Sequence, residues 1–168
     1  MDTEHDGPEA VRRATDACLK LLAVRARSRH ELRLYLTRKQ FSASVQEQVL
    51  EKLQGLGYVD DVRFARDRAA SLLQKGRLGP QAVLQRLEVH GLRPEEAREA
   101  LAAATGSVDF DSLAAARQLL ERRGLLGRRL EPQEHAKAGR LLLSRGFSEE
   151  VVQQLLGEPS LDPSGLDD

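Results

Sequence analysis

Hydrophobic positions recur along the chain with the spacing of an α-helix. Leu32 and Leu36 share one stripe, and Val45, Val49 and Leu53 share another, because residues three or four apart lie on one helix face. Polar residues, proline and glycine separate the stripes and indicate where helices begin and end. The pattern predicts helices over 9–26, 28–39, 43–55, 60–75, 80–90, 94–104, 110–123, 132–145 and 148–157.

Residues suited to capping fall at these boundaries. Ser28 with Glu31 and Ser44 with Glu47 have the spacing of a capping box, in which serine and glutamate each satisfy a free backbone N–H. A proline costs little at the first helical position and is predicted there at Pro80, Pro94 and Pro132. Glycines suited to a left-handed helix end are Gly76, Gly91, Gly124, Gly146 and Gly157.

The chain also repeats itself. Phe41, Leu92 and Phe147 stand 51 and 55 residues apart. A leucine stands five residues before each of them, at Leu36, Leu87 and Leu142. The fold class predicted is all-α, with three tandem three-helix repeats in an elongated, slightly curved array. The repeats are placed at 11–58, 59–106 and 107–157, between acidic disordered tails at 1–10 and 158–168.

Composition supports a helical fold and argues against sandwiches, barrels and parallel-sheet enzymes. Aromatic residues make up only 4% of the 168 residues, and tryptophan is absent. The longest apolar run, 100–104, is far shorter than the roughly 20 residues of a membrane span, so no membrane association is expected. The single cysteine, Cys18, lies on an apolar stripe and is typical of a core residue in a reducing cytoplasm.

A formal net charge of zero conceals two basic blocks. Residues 12–39 carry a net +7 and residues 117–145 a net +5, while residues 1–11 carry −4 and residues 146–168 carry −6. Such blocks suit contact with phosphates or with an acidic protein groove. The alternative is that they are solvated helix faces on a neutral helical scaffold.

Residues for catalysis are not gathered anywhere in the sequence. The histidines stand apart, without metal-ligand or triad spacing, at His5, His30, His90 and His135. The adjacent pair Asp60 and Asp61 fits a helix start better than an acid–base pair. We therefore expect no catalytic, metal or cofactor site, and a binding protein rather than an enzyme.

A helix-turn-helix is the alternative reading of residues 30–53, with the turn at 40–44. Its second helix would begin with Gln46, Glu47 and Gln48, which is a poor surface for DNA phosphates. A DNA-binding transcriptional regulator stays open as the alternative function.

The segment Leu-Gly-Tyr-Val-Asp-Asp-Val-Arg-Phe-Ala at 56–65, followed by Gly-Arg-Leu-Gly-Pro at 76–80, resembles the RecX family of recombination regulators. The run at 23–41 is similar to that family too, and the resemblance covers about residues 14–157. Gln40 departs from the family pattern, which has glycine before the aromatic residue. Since glutamine takes a left-handed conformation less easily, a different turn is expected there.

The resemblance implies a fold of tandem three-helix repeats and a partner, the RecA recombinase assembled on single-stranded DNA. A regulator of this kind lies along the filament groove, limits filament growth and suppresses ATPase, strand-exchange and coprotease activities. We also expect a cytoplasmic monomer without cofactors that binds single-stranded DNA within the filament. Binding to free DNA is expected to be weak, because the even charge balance of this chain departs from the family's more basic members.

Candidate site residues follow from the basic blocks and the motif. The first set proposed to contact the partner or phosphates is Arg25, Arg27, Arg29, Arg33, Arg38 and Lys39. The second set is Arg122, Arg123, Arg128 and Arg129, and Arg63 and Arg77 are added from the motif. Residues with expected structural roles are Tyr58, Val59 and Phe64 as packing between the first two repeats, Asp60 with Asp61 at the start of the fourth helix, and Gly79.

Overall fold

The structure, a computed structural model, describes residues 7–157, and this part of the chain is all-α, as the sequence predicts. The helices are α1 (Pro8–Val24), α2 (Arg29–Arg38), α3 (Ala43–Gly55), α4 (Asp61–Gln74), α5 (Pro80–Val89), α6 (Pro94–Ser107), α7 (Ser112–Arg122), α8 (Pro132–Ser144) and α9 (Glu149–Leu156). Pro80, Pro94 and Pro132 each open a helix, which confirms their predicted position.

Both ends of α1 differ from the prediction. The helix begins at Pro8, and Ala10 is fully buried, so the tail predicted over 1–10 is wrong for its last three residues. The helix ends at Val24 because Arg25 is extended, with φ −160° and ψ 160°. The remaining residues of the two predicted tails, 1–6 and 158–168, lie outside the described residues.

One predicted capping box is confirmed and the other is wrong. The Glu31 N–H donates to Ser28 Oγ at 3.2 Å, and the Ser28 N–H donates to Glu31 Oε2 at 3.1 Å. Ser42 rather than Ser44 caps α3, accepting from the Val45 N–H at 3.3 Å. The cap falls earlier because Ser42 is the last extended residue before the helix, whereas Ser44 is already helical.

A different turn was expected after α2 because Gln40 replaces glycine there, and this is wrong. Gln40 adopts the left-handed conformation with φ 62°, and Phe41 then donates its N–H to the Leu36 carbonyl at 3.2 Å. Gly146, with φ 82°, makes the same turn before Phe147, whose N–H reaches the Leu142 carbonyl at 3.1 Å. Glutamine therefore tolerates this conformation at a cost of about 1–2 kcal/mol.

Two compact units divide the chain, one up to Arg68 with 87–100, and the other comprising 69–86 and the chain from Leu101 onward. In the first unit α1 and α2 pack against α3. Fully buried side chains in this core include Leu32, Leu36, Val45, Val49, Leu50 and Leu53. Cys18 belongs to it as well, and burial raises the pKa of its thiol to about 11.

In the second unit α7 and α8 pack against α9. Its core includes Ala116, Leu120, Ala138, Leu142 and Phe147. The start of α5 joins the turn between α8 and α9, because the Gly79 N–H donates to the Arg145 carbonyl at 2.7 Å. Gln81 likewise donates to the Gly146 carbonyl at 3.1 Å. A side chain at Gly79 would lie 2.5 Å from the Phe147 nitrogen, so the junction requires glycine.

The repeat pattern is visible in burial. Leu36, Leu87 and Leu142 occupy equivalent sequence positions, and each is fully buried. The boundaries of the two compact units fall inside α4, α5 and α6. The exact division into repeats at 11–58, 59–106 and 107–157 stays a prediction.

Candidate partner-binding surface

Two arginines of the first basic set share one carboxylate. Arg29 and Arg33 lie one turn apart on α2, and both bind Glu47 of α3, Arg29 through Nη2 to Oε1 and Arg33 through Nη2 to Oε2 at 2.8 Å. The Arg29 guanidinium also donates to Gln54 Oε1 at 2.7 Å. The pairing with Glu47 could not be predicted from the sequence, because it depends on how α2 packs against α3.

A second network joins the start of α2 to the end of α5. Arg25 Nη2 lies 2.8 Å from Glu31 Oε1, which in turn lies 3.6 Å from Nδ1 of His90. Burial acts to raise the pKa of Glu31, but hydrogen bonds from Arg25 and from the Ser28 N–H hold this pKa below its ordinary value. The Ser28 hydroxyl donates to the His90 carbonyl at 2.9 Å. Arg25 is therefore engaged in an ion pair within the first compact unit.

Burial lowers the pKa of His90, and the nearby cations of Arg68, Arg25 and His30 add to that effect against the opposing charge of Glu31. The ring also meets Phe64 edge to face, with centroids 5.3 Å apart. His90 is half-buried, because the turn after α5 packs against the start of α2. A side chain at the neighbouring Gly91 would overlap His30.

The remaining cations of the first set have no carboxylate partner among residues 7–157. Arg38 and Lys39 are exposed at the end of α2, and the Lys39 ammonium lies 5.8 Å from the centre of the Tyr35 ring. Arg27 is half-buried, and its Nε is buried without a hydrogen-bond acceptor in the described structure. These three side chains are the part of the first set that is free to meet a partner.

The motif residues at the start of α4 have structural roles, as a helix cap, as a hydrogen bond to α2 and as a buried side chain. Asp60 Oδ1 accepts from the Arg63 N–H at 2.9 Å and caps the helix. Asp61 Oδ1 accepts from the Arg29 N–H at 2.7 Å and so ties α4 to the start of α2. Phe64 is buried.

Tyr58 was expected to pack between the first two repeats, and the structure contradicts this. The side chain is 56% exposed, whereas its neighbour Val59 is 3% exposed. Gly57 has φ 78° and turns the chain after α3, so that Val59 rather than Tyr58 enters the core.

The two motif arginines lie at the surface. Arg63 is 81% exposed, and its Nε lies 3.8 Å from Asp67 Oδ2 one turn further along α4. Arg77 is exposed in the turn before α5 and has no ion pair within the described part of the chain. Both stay candidates for partner contact.

In the second basic set, as in the first, some arginines bind side chains of this chain and others are exposed. Arg128 donates through Nη1 to Glu134 Oε2 at 2.8 Å, and Arg122 donates to Gln118 Oε1 at 3.1 Å. Arg129 is exposed. Arg123 lines a pocket with two further cations, Lys137 and Arg140. Sequence analysis missed these two, although their helical spacing on α8 places them on one face.

The Glu134 carboxyl is expected to titrate near pH 2. The Arg128 guanidinium and the Glu131 N–H lower the pKa of Glu134 to about 2. Because this pKa is depressed in the folded chain, the pair stabilises the fold above the unfolded carboxyl's pKa and loses that effect as pH falls from about 4.5 to 2.

Carbon-detected NMR titration of Glu134 measures this directly, with the Arg128→Gln variant as the control that returns the midpoint toward its ordinary value. A wild-type midpoint near 4.5 would show that Arg128 does not hold this carboxylate in solution.

Among residues 7–157 there is no group of three or more His, Cys, Asp or Glu side chains arranged to hold a metal ion. The helices in the same range are all too short or too polar to cross a membrane.

Comparison with known proteins identifies the family. The domain described as RecX, first three-helix domain, matches residues 14–53, and that described as RecX, third three-helix domain, matches residues 109–156. These matches lie within the first and third predicted repeats.

Relatives match over most of their own length. A "Regulatory protein RecX" of Amycolatopsis mediterranei is 34% identical over 169 residues, covering 95% of this chain and 93% of that protein. Another of Halorhodospira halophila is 34% identical over 145 residues, covering 86% and 85%.

A solved structure agrees with the fold. The crystal structure of RecX from Lactobacillus salivarius superposes with a TM-score of 0.72 at 21% identity, covering 91% of this chain and 98% of that chain. The helical repeats, the motif at the start of α4 and these matches lead to one conclusion: the chain belongs to the RecX family of regulatory proteins.

Proposed function

We propose that this protein binds the filament that the RecA recombinase forms on single-stranded DNA, lies in the filament groove and inhibits filament growth. Reduced ATP hydrolysis, strand exchange and coprotease activity would follow from a shorter or blocked filament. Its membership in a family of regulatory proteins supports a regulatory rather than a catalytic role. The partner itself comes from the resemblance noted in the sequence.

The observation that carries the proposal is the division of the first basic set. Arg25, Arg29 and Arg33 are bound by Glu31 and Glu47 and hold the repeat together. These three cations therefore have a carboxylate already. The cations without one are the groups that an acidic groove or a phosphate can engage.

Those free cations lie at the end of α2. Arg38 and Lys39 are adjacent and exposed, and neither has a carboxylate partner in the described chain. Arg27, which precedes α2, is half-buried and also has no carboxylate partner in residues 7–157, although its Nε is buried and out of a partner's reach. Arginine is common in protein interfaces because its planar guanidinium presents several donors. Linked contacts at this surface and at the second basic set would strengthen each other.

The helix-turn-helix alternative is disfavoured by the start of α3. Gln46 is 9% exposed and donates its amide to the Phe41 carbonyl at 2.8 Å, while Glu47 is bound by Arg29 and Arg33. Gln48 donates to Ser44 Oγ at 3.2 Å. Side chains that would read base edges are thus engaged within the first repeat.

Charge reversal at the end of α2 tests the proposed surface. We expect Arg38→Glu with Lys39→Glu to raise the concentration needed for half-maximal inhibition of RecA ATPase by about tenfold or more, because two attractive contacts become repulsive. Arg66→Glu is the matched control, since Arg66 is exposed on α4 and lies outside both basic sets. Equal inhibition by the double variant and the control would remove this surface from the proposal.

A further inference from the structure

A pocket in the second compact unit contains one residue of the second basic set, Arg123, and five residues to which no role has been given. It has a volume of about 480 Å³ and is lined by Arg123, Leu125, Lys137, Arg140, Leu141 and Ser144. Four of these residues lie on one stretch of α8, and the other two follow the end of α7.

The pocket carries positive charge that its surroundings do not neutralise. Arg123, Lys137 and Arg140 are exposed, and none of them forms an ion pair within residues 7–157. The acid near Lys137 is Glu134, whose carboxylate is already bound by Arg128. An anionic ligand would therefore meet three cations at once.

The remainder of the lining is apolar. Leu125 is 7% exposed and Leu141 is half-buried, so both present part of a side chain to the pocket. The Ser144 hydroxyl donates to the Leu141 carbonyl at 2.8 Å and is not a free donor. A ligand that fits this lining has both acidic and aliphatic groups, as an acidic peptide containing leucine does.

We propose that this pocket binds the chain's own C-terminal segment, residues 158–168. The segment has the sequence Glu-Pro-Ser-Leu-Asp-Pro-Ser-Gly-Leu-Asp-Asp, with four acids and two leucines. Its charge complements the three cations, and its leucines suit the apolar part of the lining. The segment lies outside the described residues and follows directly on Gly157.

The C-terminal segment leaves the fold within reach of the pocket. The carbonyl of Leu156, at the end of α9, lies 3.0 Å from His135 Nε2 in the first turn of α8. His135 and Gly139 lie on the face of α8 that contacts α9, whereas the pocket residues of α8 lie on the opposite face, so the segment would pass around this helix. Ser144, at the far end of the pocket, is also about 14 Å further along the helix axis. Eleven residues of extended chain reach about 35 Å, which covers this rise and the path around a helix about 10 Å in diameter. Tethering also gives the segment an effective concentration of about 1 mM or more, so weak contacts suffice.

A segment that occupies the pocket would compete with any other anionic ligand for the same three cations. An acidic partner or a phosphate would have to displace residues 158–168 before it could reach Lys137 and Arg140. The C-terminal segment would then reduce binding by the second basic set without altering the fold.

Paramagnetic broadening in the full chain tests the proposal. A nitroxide is attached at position 164 through Ser164→Cys, which labels selectively because the buried Cys18 thiol has a pKa of about 11. We expect loss of the amide signals of residues 137–144 relative to the diamagnetic label. The loss should persist with Arg117→Glu, an exposed α7 arginine outside the pocket, and disappear when Lys137→Glu and Arg140→Glu are combined.

Three results would overturn the proposal. One is no broadening in α8, and another is broadening that survives the combined Lys137→Glu and Arg140→Glu change. The third is an oligothymidylate that shifts the pocket amides equally in the full chain and in a chain ending at Gly157, since nucleic acid would then bind without competition. The spectra also show whether each variant is folded, and no arm requires the recombinase.

Discussion

Replacing Gly146 by alanine is expected to destabilise the fold by about 2–5 kcal/mol. Gly146 has φ 82°, where alanine costs about 1–2 kcal/mol. A Cβ there would also lie 2.5 Å from the Cβ of Ala82, and relieving that overlap adds about 1–3 kcal/mol. The junction cannot easily yield, because Gln81 donates to the Gly146 carbonyl at 3.1 Å.

Gly124→Ala is the matched control for this change. Gly124 also ends a helix with positive φ, at 64°, but a Cβ there meets nothing within 4 Å. Alanine at position 124 should therefore cost only the backbone strain, about 1–2 kcal/mol. Urea denaturation measures both free energies of unfolding. Equal losses would show that the contact between the start of α5 and the α8–α9 turn does not crowd Gly146.

Leu36→Ala is expected to lower the free energy of unfolding by about 2–5 kcal/mol. Leu36 is fully buried in the core formed by α1, α2 and α3, so truncation leaves a cavity. Leu34 on the same helix is 43% exposed, and Leu34→Ala should cost less than about 1 kcal/mol. A loss below 1 kcal/mol for Leu36→Ala would mean that the repeat register is wrong.

Local rules predicted most of the fold. Helix positions follow from apolar spacing, and the Ser28–Glu31 box and the helix-opening prolines follow from capping chemistry. The repeated leucines at positions 36, 87 and 142 follow from self-similarity and are all fully buried. The helix positions and caps depend on residues close together in the sequence, and the repeated leucines depend on a pattern that recurs along it, so both could be predicted without the fold.

Features that depend on packing were harder to predict. Tyr58 and Val59 are neighbours, and only the turn at Gly57 decides which one enters the core. Arg29 and Arg33 resemble free cations in the sequence, yet packing of α2 on α3 brings Glu47 to both. The candidate surface consequently became smaller than the basic block that first indicated it.

The pocket on α8 shows the reverse case. Lys137 and Arg140 stand one helical turn apart, but no motif marks them. Only the position of Arg123 and Leu125 beside them turns this spacing into a pocket. The spacing of Lys137 and Arg140 on α8 is visible in the sequence. The position of Arg123 and Leu125 beside α8 is not, because it depends on how the chain folds.

The most direct test of the proposed function is ATP hydrolysis by RecA on single-stranded DNA, with this protein added at far below one copy per recombinase subunit. Inhibition that grows with time as filaments fail to extend is the expected result. Unchanged hydrolysis up to equimolar amounts of folded protein, at moderate salt, would contradict the proposal that this RecX family member regulates the recombinase filament.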